Sequence, residues 1–436
     1  MLNKNIDKVT GEVTYFTKHE SGLEIYIMPR PGYSSSYAIF GTKYGSVHSD
    51  FIIPGESTVT HVPDGIAHYL EHKMFDQPDG SNVFDKFSML GANANAFTSF
   101  NMTAYLFSAA DNFFESLSVL MDYVQSPYFT EESVQKEQGI IGQEIGMYDD
   151  NGPWRVFFNL LGCLYHNNPV KKDIAGTVES ISHITADYLY KCYNTFYNLS
   201  NMTIFVTGDF DPEEAYSVIV SGIKNNKPFR EKIEKIFPEE PKTVCKKYTE
   251  QSLSVSMPLF MIGFKDTDLG MSGDELLKKY IEVMILERML FGKGTKLYRE
   301  LYEGGLINDS FSWEYTVQKE YGHCTIDGES SDPKAVFNAV LDEIDRQRES
   351  GLSKEDFTRI KKVFWGEYIK TFNDIEEYAH TFMTLHMMDV DIFHYNAVYE
   401  GITFEDIEKR FNNLFVRDAA ALSVVNPIDT QESAEE

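Results

Sequence analysis

The chain has 436 residues but only four cysteines, Cys163, Cys192, Cys245 and Cys324. They are far apart and form no CxxC pair, so they read as free thiols of a reducing compartment rather than a disulfide framework. No run is long and apolar enough to cross a bilayer as a helix. The opening stretch MLNKNIDKVT has no apolar signal core. The expectation is a cytoplasmic protein with no membrane partner. Positive charge is also scarce: 39 Lys and Arg face 67 Asp and Glu, a formal charge of −28. That balance repels a polyanion, so no nucleic-acid partner is expected. A basic or unfolded polypeptide would be attracted. Hydrophobic residues at 42% and charged residues at 24% exclude a disordered or collagen-like chain and leave enough apolar material for more than one core.

Strand-like alternation opens the chain at residues 12–16, 23–28 and 36–40, punctuated by Ser-Gly and Pro-Gly. A helix is expected near 66–75, a strand at 103–108, and helices at 112–124 and 130–147, the last with Thr130 as N-cap and glutamates in its first turn. Residues 201–208 (NMTIFVTG) read as a closing buried strand. The polar, non-periodic stretch 224–243 reads as a linker. The expected organisation is an N-terminal lobe over 1–223, a linker over 224–243, a C-terminal lobe over 244–430 and an acidic tail over 431–436.

The second half reads as a repeat of the first. Residues 129–144 align without a gap on 352–367, setting Thr130 on Ser353 and Glu144 on Glu367. The strand at 201–208 has its counterpart at 420–426. Residues 68–75 (HYLEHKMF) align on 284–291 (MILERMLF), which sets His68 on Met284 and His72 on Arg288. Only the first copy keeps the polar cluster. A repeat on this scale implies two similar lobes, not a solenoid.

That cluster is His68-Tyr69-Leu70-Glu71-His72. Positions i and i+4 share one helical face, so the two histidines can hold one ion together. Glu71, three residues from His68 and one from His72, can reach a water at that ion. The order is that of an inverted zincin, H-x-x-E-H. A catalytic zinc usually takes three protein ligands and leaves a position for water. Glu137 and Glu144 are candidates for the third ligand, seven residues apart and on one face of the next long helix. One could bind the ion while the other supports a histidine; spacing does not choose between them. The scattered histidines 166, 183, 323, 380, 386 and 394 lack ligand spacing. The Met-rich run 383–388 reads as apolar filler, and Gly292-Lys293-Gly294-Thr295 as a helix end and turn.

Residues 64–75 (DGIAHYLEHKMF) resemble the active-site helix of the pitrilysin-like M16 metallopeptidases. The resemblance continues through 91–105 (GANANAFTSFNMTAY), 137–145 (EQGIIGQEI), 175–181 (AGTVESI) and 201–211 (NMTIFVTGDFD), and residues 303–315 (EGGLINDSFSWEY) look most like the bacterial processing-protease branch with its YmfH-like members. It implies an α+β fold of two homologous lobes, each an antiparallel-rich sheet packed against helices, together enclosing half of a peptide chamber. It also implies a zinc endopeptidase with one Zn2+ per chain, held by His68, His72 and Glu144. Glu71 becomes the general base and Glu137 the acid that supports a histidine. Asn95, Ala96 and Thr98 become the strand that pairs with an extended, unfolded peptide.

The chain departs from the family pattern in its second half. Active members supply an Arg and a Tyr from a run like LREKRGLAY. The matching run, 301–308 (LYEGGLIN), is one residue shorter, with Tyr302 in place of the Arg and Asn308 in place of the Tyr. Arg299 and Tyr315 are near but out of spacing. The implied partner is therefore a second M16-like chain carrying that Arg/Tyr pair. The alternatives are a self-sufficient homodimer using Tyr302 or Arg299, and a non-catalytic peptide-binding or assembly subunit.

Overall fold

The computed structural model describes residues 2–224, 227–229 and 231–428. The expected tail 431–436, the last two residues of the expected second lobe and three positions of the expected linker lie outside the described residues. The fold is α+β. Among the described residues, those within 2–145, 173–236 and 368–387 form one compact unit, and those within 146–172, 237–367 and 388–428 form another.

The first unit is built on strands β1 (Asn3–Ile6), β2 (Val13–Lys18), β3 (Glu24–Pro29), β4 (Ser36–Thr42), β5 (Asp50–Ile52), β6 (Val59–His61), β7 (Asn93–Thr98), β8 (Thr103–Ala109), β9 (Met202–Gly208) and β10 (Glu234–Lys235). Seven of them make one sheet in the order β1-β2-β3-β9-β4-β8-β7. Only β3 and β9 pair in parallel; the other neighbours are antiparallel. β10, β5 and β6 form a small second sheet. The stretch expected as a linker thus contributes β10, paired with β5.

The second unit holds β11 (Tyr248–Leu253), β12 (Leu259–Lys265), β13 (Ser312–Val317), β14 (Gly322–Glu329) and β15 (Ala420–Pro427), in the order β11-β15-β12-β14-β13. Its single parallel pair is β11 with β15. The order and the parallel step repeat β3-β9-β4-β8-β7 strand for strand. The strands expected as counterparts, at 201–208 and 420–426, are β9 and β15 and hold the same place in their sheets.

The units are not contiguous stretches. Residues 146–172 fall in the second unit and 368–387 in the first, across the boundaries expected at 223 and 244. The reason lies in the central strands. Every residue of β4 and of β9 is buried, and strands buried on both faces need helices on both. In the first unit the helix Ile375–Met387 packs on β4 and β9, with Phe382 against Phe205, ring centroids 4.5 Å apart. In the second, the helix Gly152–Leu164 packs on β12 and β15. A glycine lies under each crossing. A Cβ on Gly41 would stand 2.6 Å from Met383 Cε, and one on Gly263 would stand 2.9 Å from Leu160 Cδ2. Met383 and Met387 of the Met-rich run pack as filler over Gly41.

Candidate metal centre

The motif helix runs Ile66–Lys73, and all of its residues except His72 are buried. Its start is held by two interlocking turns. Gly65 has φ +88°, and a Cβ there would lie 2.4 Å from the Ala175 carbonyl oxygen. Gly176 has φ +76°, and a Cβ there would lie 2.7 Å from the Asp64 carbonyl oxygen. Ser180 Oγ donates to that same Asp64 oxygen at 2.9 Å. Only glycine accepts both the left-handed backbone and this approach, which explains why AGTVES accompanies the helix in sequence.

The motif helix then places the long helix Glu131–Asp149 beside it. Tyr69 Oη donates to the Val134 carbonyl. Lys73 Nζ, itself buried, donates to the Ser133 carbonyl at 3.2 Å and lies 3.8 Å from Glu137 Oε2. These contacts fix the first turns of the long helix, and its 3.6-residue period carries Glu137 and Glu144 to the same face.

His68 Nε2 lies 3.7 Å from Glu144 Oε1, and His72 Nε2 lies 3.4 Å from Glu144 Oε2. One ligand atom from each of His68, His72 and Glu144 falls within 4.8 Å of the others. Ligands about 2.1 Å from a tetrahedral ion stand about 3.4 Å apart, so the donors present fit a single zinc-sized ion. Glu137 does not face that point with the same atoms. Its Oε1 lies 3.2 Å from His72 Nδ1, the outer nitrogen, as a carboxylate does when it orients a ligating imidazole. The two glutamates left open by spacing thus take different places. Glu71 is buried, and its Oε2 accepts from Thr98 Oγ1 at 2.6 Å.

The electrostatics suit a ligand set. Burial pushes His68 down to about 4, helped by the neighbouring His72, which leaves a neutral imidazole. Burial also works against charge on His72, yet the hydrogen bond to Glu137 and the carboxylates of Glu71 and Glu144 raise it overall. Burial raises Glu71, only partly offset by Thr98 and His72. Burial alone would raise Glu137, but the His72 bond and the Lys73 charge hold it below its ordinary value.

β7 is the end strand of its sheet. Asn95 is exposed there and Ala96 half-buried, and Asn95 Oδ1 accepts the Ala96 N–H at 2.9 Å. Neither bonds to the triad. Thr98, grouped with them from the sequence, does reach the centre, through Glu71; nothing in the linear pattern signals that contact. In the second unit, Tyr315 is only 3% exposed and its hydroxyl donates to Asp266 at 2.6 Å. Asn308 donates to Glu329 at 2.7 Å. Arg299 and Tyr302, by contrast, are exposed on the helix Lys296–Glu303. Gly292 caps the end of the helix Gly273–Phe291, as a turn there requires.

Comparison with known proteins bears on the family. Residues 60–178 match the family described as Insulinase (Peptidase family M16), and residues 183–364 match the Peptidase M16 inactive domain. The chain is 41% identical to the uncharacterized zinc protease YmfH of Bacillus subtilis, over 95% of this chain and 97% of that one. It is 30% identical to the putative zinc protease AlbF of the same species, over 45% of each chain. Among solved structures it is similar to a putative M16-like peptidase from Alicyclobacillus acidocaldarius, with a TM-score of 0.91, 34% identity and coverage of 96% and 99%. Pitrilysin shares the fold at a TM-score of 0.73 and 14% identity, this chain spanning 46% of it. Sequence, fold and relatives together show that the chain belongs to the M16 family of peptidases.

Proposed function

We propose that the chain is the metal-bearing subunit of a two-chain zinc endopeptidase that hydrolyses unfolded peptides or a small precursor peptide. The observation that carries this reading is the convergence of His68, His72 and Glu144 within 4.8 Å, with the buried carboxyl of Glu71 on the same helix as the two histidines. His68, His72 and Glu144 would hold one zinc. Bound there, zinc supplies a Lewis acid and brings the acidity of a coordinated water to about neutral.

This chain's residues do the rest. Glu137 fixes the His72 ring through Nδ1. The Glu71 oxygen that Thr98 does not engage takes the proton of the attacking water and returns it to the leaving amine nitrogen. Asn95 and Ala96, on the free edge of β7, pair with the extended peptide as an added strand. The two compact units act as homologous lobes, the first carrying the metal site and the second its metal-free counterpart. No described helix is long and apolar enough to cross a membrane, and a cytoplasmic site of action fits the free thiols.

The two-chain reading rests on the missing donor pair. Tyr302 and Asn308 stand at the family's Arg and Tyr positions, and the hydroxyl of Tyr315 is buried on Asp266. A second M16-like chain would supply that pair. The test is hydrolysis of a library of unstructured peptides by the zinc-loaded chain, alone and with an M16-like partner, with Glu71→Gln as control. Cleavage that needs both the partner and Glu71 supports the proposal. Glu71-dependent cleavage by the chain alone replaces it with a self-sufficient homodimer. Zinc binding without cleavage in either condition leaves a peptide-binding or assembly subunit.

A further inference from the structure

We propose that Thr98 is a positioning residue for Glu71 and does not read the peptide, an inference that rests on the peptidase reading above. The argument is an accounting of protons. Thr98 Oγ1 and Glu71 Oε2 are 2.6 Å apart. An ionised carboxylate only accepts, so the single hydroxyl proton of Thr98 lies in that contact. The other neighbour is Thr103 Oγ1, at 3.4 Å. Its own proton points elsewhere, to the Tyr44 carbonyl at 2.9 Å. Thr103 can therefore only accept from Thr98, and at 3.4 Å it competes poorly with the carboxylate oxygen at 2.6 Å, so Thr98 has no proton left to offer a substrate carbonyl.

The backbone holds this arrangement. Thr98 is the last residue of β7 and pairs directly with Thr103 of β8. Thr103 has no exposed surface. A β-branched side chain has few χ1 choices in a strand, so fixing the register fixes the hydroxyl. Side chains alternate along β7, which puts Ala94 and Ala96 on the face of Thr98, and the motif helix packs on that strand. Small residues at those two places let the helix come close enough for Glu71 to reach the hydroxyl. The carboxylate is thereby held by one oxygen, leaving the other oriented for proton transfer. The residue that orients the base also sits on the strand whose free edge is proposed to receive the peptide.

The test is Thr98→Val, which keeps size and branching and removes the proton, beside Thr98→Ser, which restores it. Four readouts are taken: kcat and KM with the zinc-loaded protein and its partner, zinc retention, affinity of the metal-free protein for a fluorescent unstructured peptide, and the crystal pose of Glu71. Thr98→Val is expected to lower kcat about 10- to 100-fold, the worth of one hydrogen bond to a charged group. KM, zinc retention and peptide affinity stay unchanged, Glu71 loses its single pose, and Thr98→Ser recovers most of kcat. A loss confined to KM or peptide affinity overturns the proposal and returns Thr98 to substrate binding. A loss of zinc, or a Glu71 pose unmoved in Thr98→Val, overturns it as well. If wild type is silent in every partner condition, the peptidase reading fails, while the crystal pose still decides the role of Thr98.

Discussion

Arg288 and Glu367 form a two-pronged ion pair in the second unit, with Nη2 donating to Oε1 at 2.7 Å and Nη1 to Oε2. The internal repeat sets these residues on His72 and Glu144, which lie 3.4 Å apart in the first unit. The carboxylate is kept and its partner has changed: a guanidinium stands where the first unit brings imidazoles together. Met284 occupies the place of His68. The same repeat sets the buried Glu287 on Glu71, and burial pushes Glu287 up to about 8.

This relationship predicts a gain of metal. Arg288→His with Met284→His removes the built-in cation and supplies two imidazoles beside Glu367. The side chains of Arg288 and Glu367 are 29% and 54% exposed, so losing the pair costs under about 1 kcal/mol and the variant should fold. Zinc bound per chain, measured by elemental analysis after dialysis, should rise from about one to about two. An unchanged stoichiometry would contradict the converted-site reading.

Glu144→Gln should weaken zinc retention far more than Glu137→Gln. The first removes a ligand. The second removes the acceptor on His72, a change that typically costs 10- to 100-fold in metal affinity. Competition with a chromogenic chelator ranks the two, and the reverse order would exchange their roles.

Glu71→Gln should retain zinc as wild type does and lose turnover by about 100-fold or more, the usual worth of a general base. Normal turnover by a zinc-loaded Glu71→Gln protein would remove Glu71 from the proton path.

Gly65→Ala should be more damaging than Gly41→Ala. At Gly65 the new Cβ meets backbone, the Ala175 carbonyl at 2.4 Å, on a left-handed φ, and the conformation alone costs about 1–2 kcal/mol. At Gly41 it meets the movable ends of Met383 and Met387. Chemical denaturation gives the ranking. Loss of zinc in Gly65→Ala would show that this turn sets the position of the motif helix.

Acid stability should depend on Glu24. A hydrogen bond from His386 pulls its carboxyl down to about 2 against the opposing effect of burial. A depressed folded-state value stabilises the protein above the unfolded value of 4.5, and that contribution is lost as pH falls from 4.5 towards 2. Glu24→Gln should flatten the pH dependence of unfolding in that window. An identical profile in wild type and variant would show that the His386 contact contributes nothing.

The positions of strands and helices were largely legible because period and caps are local. The run at 36–40 belongs to β4, and the helix expected at 130–147 is Glu131–Asp149. The pairing of His68 with His72 was equally local, since four residues bring a side chain once around the helix. So was the change from His72 to Arg288, which the repeat displays directly. The choice between Glu137 and Glu144 was not. Both lie on one face, and only the grip of Tyr69 and Lys73 on the long helix decides which carboxylate faces both Nε2 atoms and which meets Nδ1. The exchange of the helices Gly152–Leu164 and Ile375–Met387 was hidden for a related reason: an amphipathic pattern shows which face a helix buries, but not against which sheet. Thr98 is the sharpest case. Its sequence neighbours Asn95 and Ala96 suggested an edge that meets substrate. Its bond to Glu71 comes from a strand and a helix 27 residues apart in the chain, brought together by packing that no linear spacing encodes.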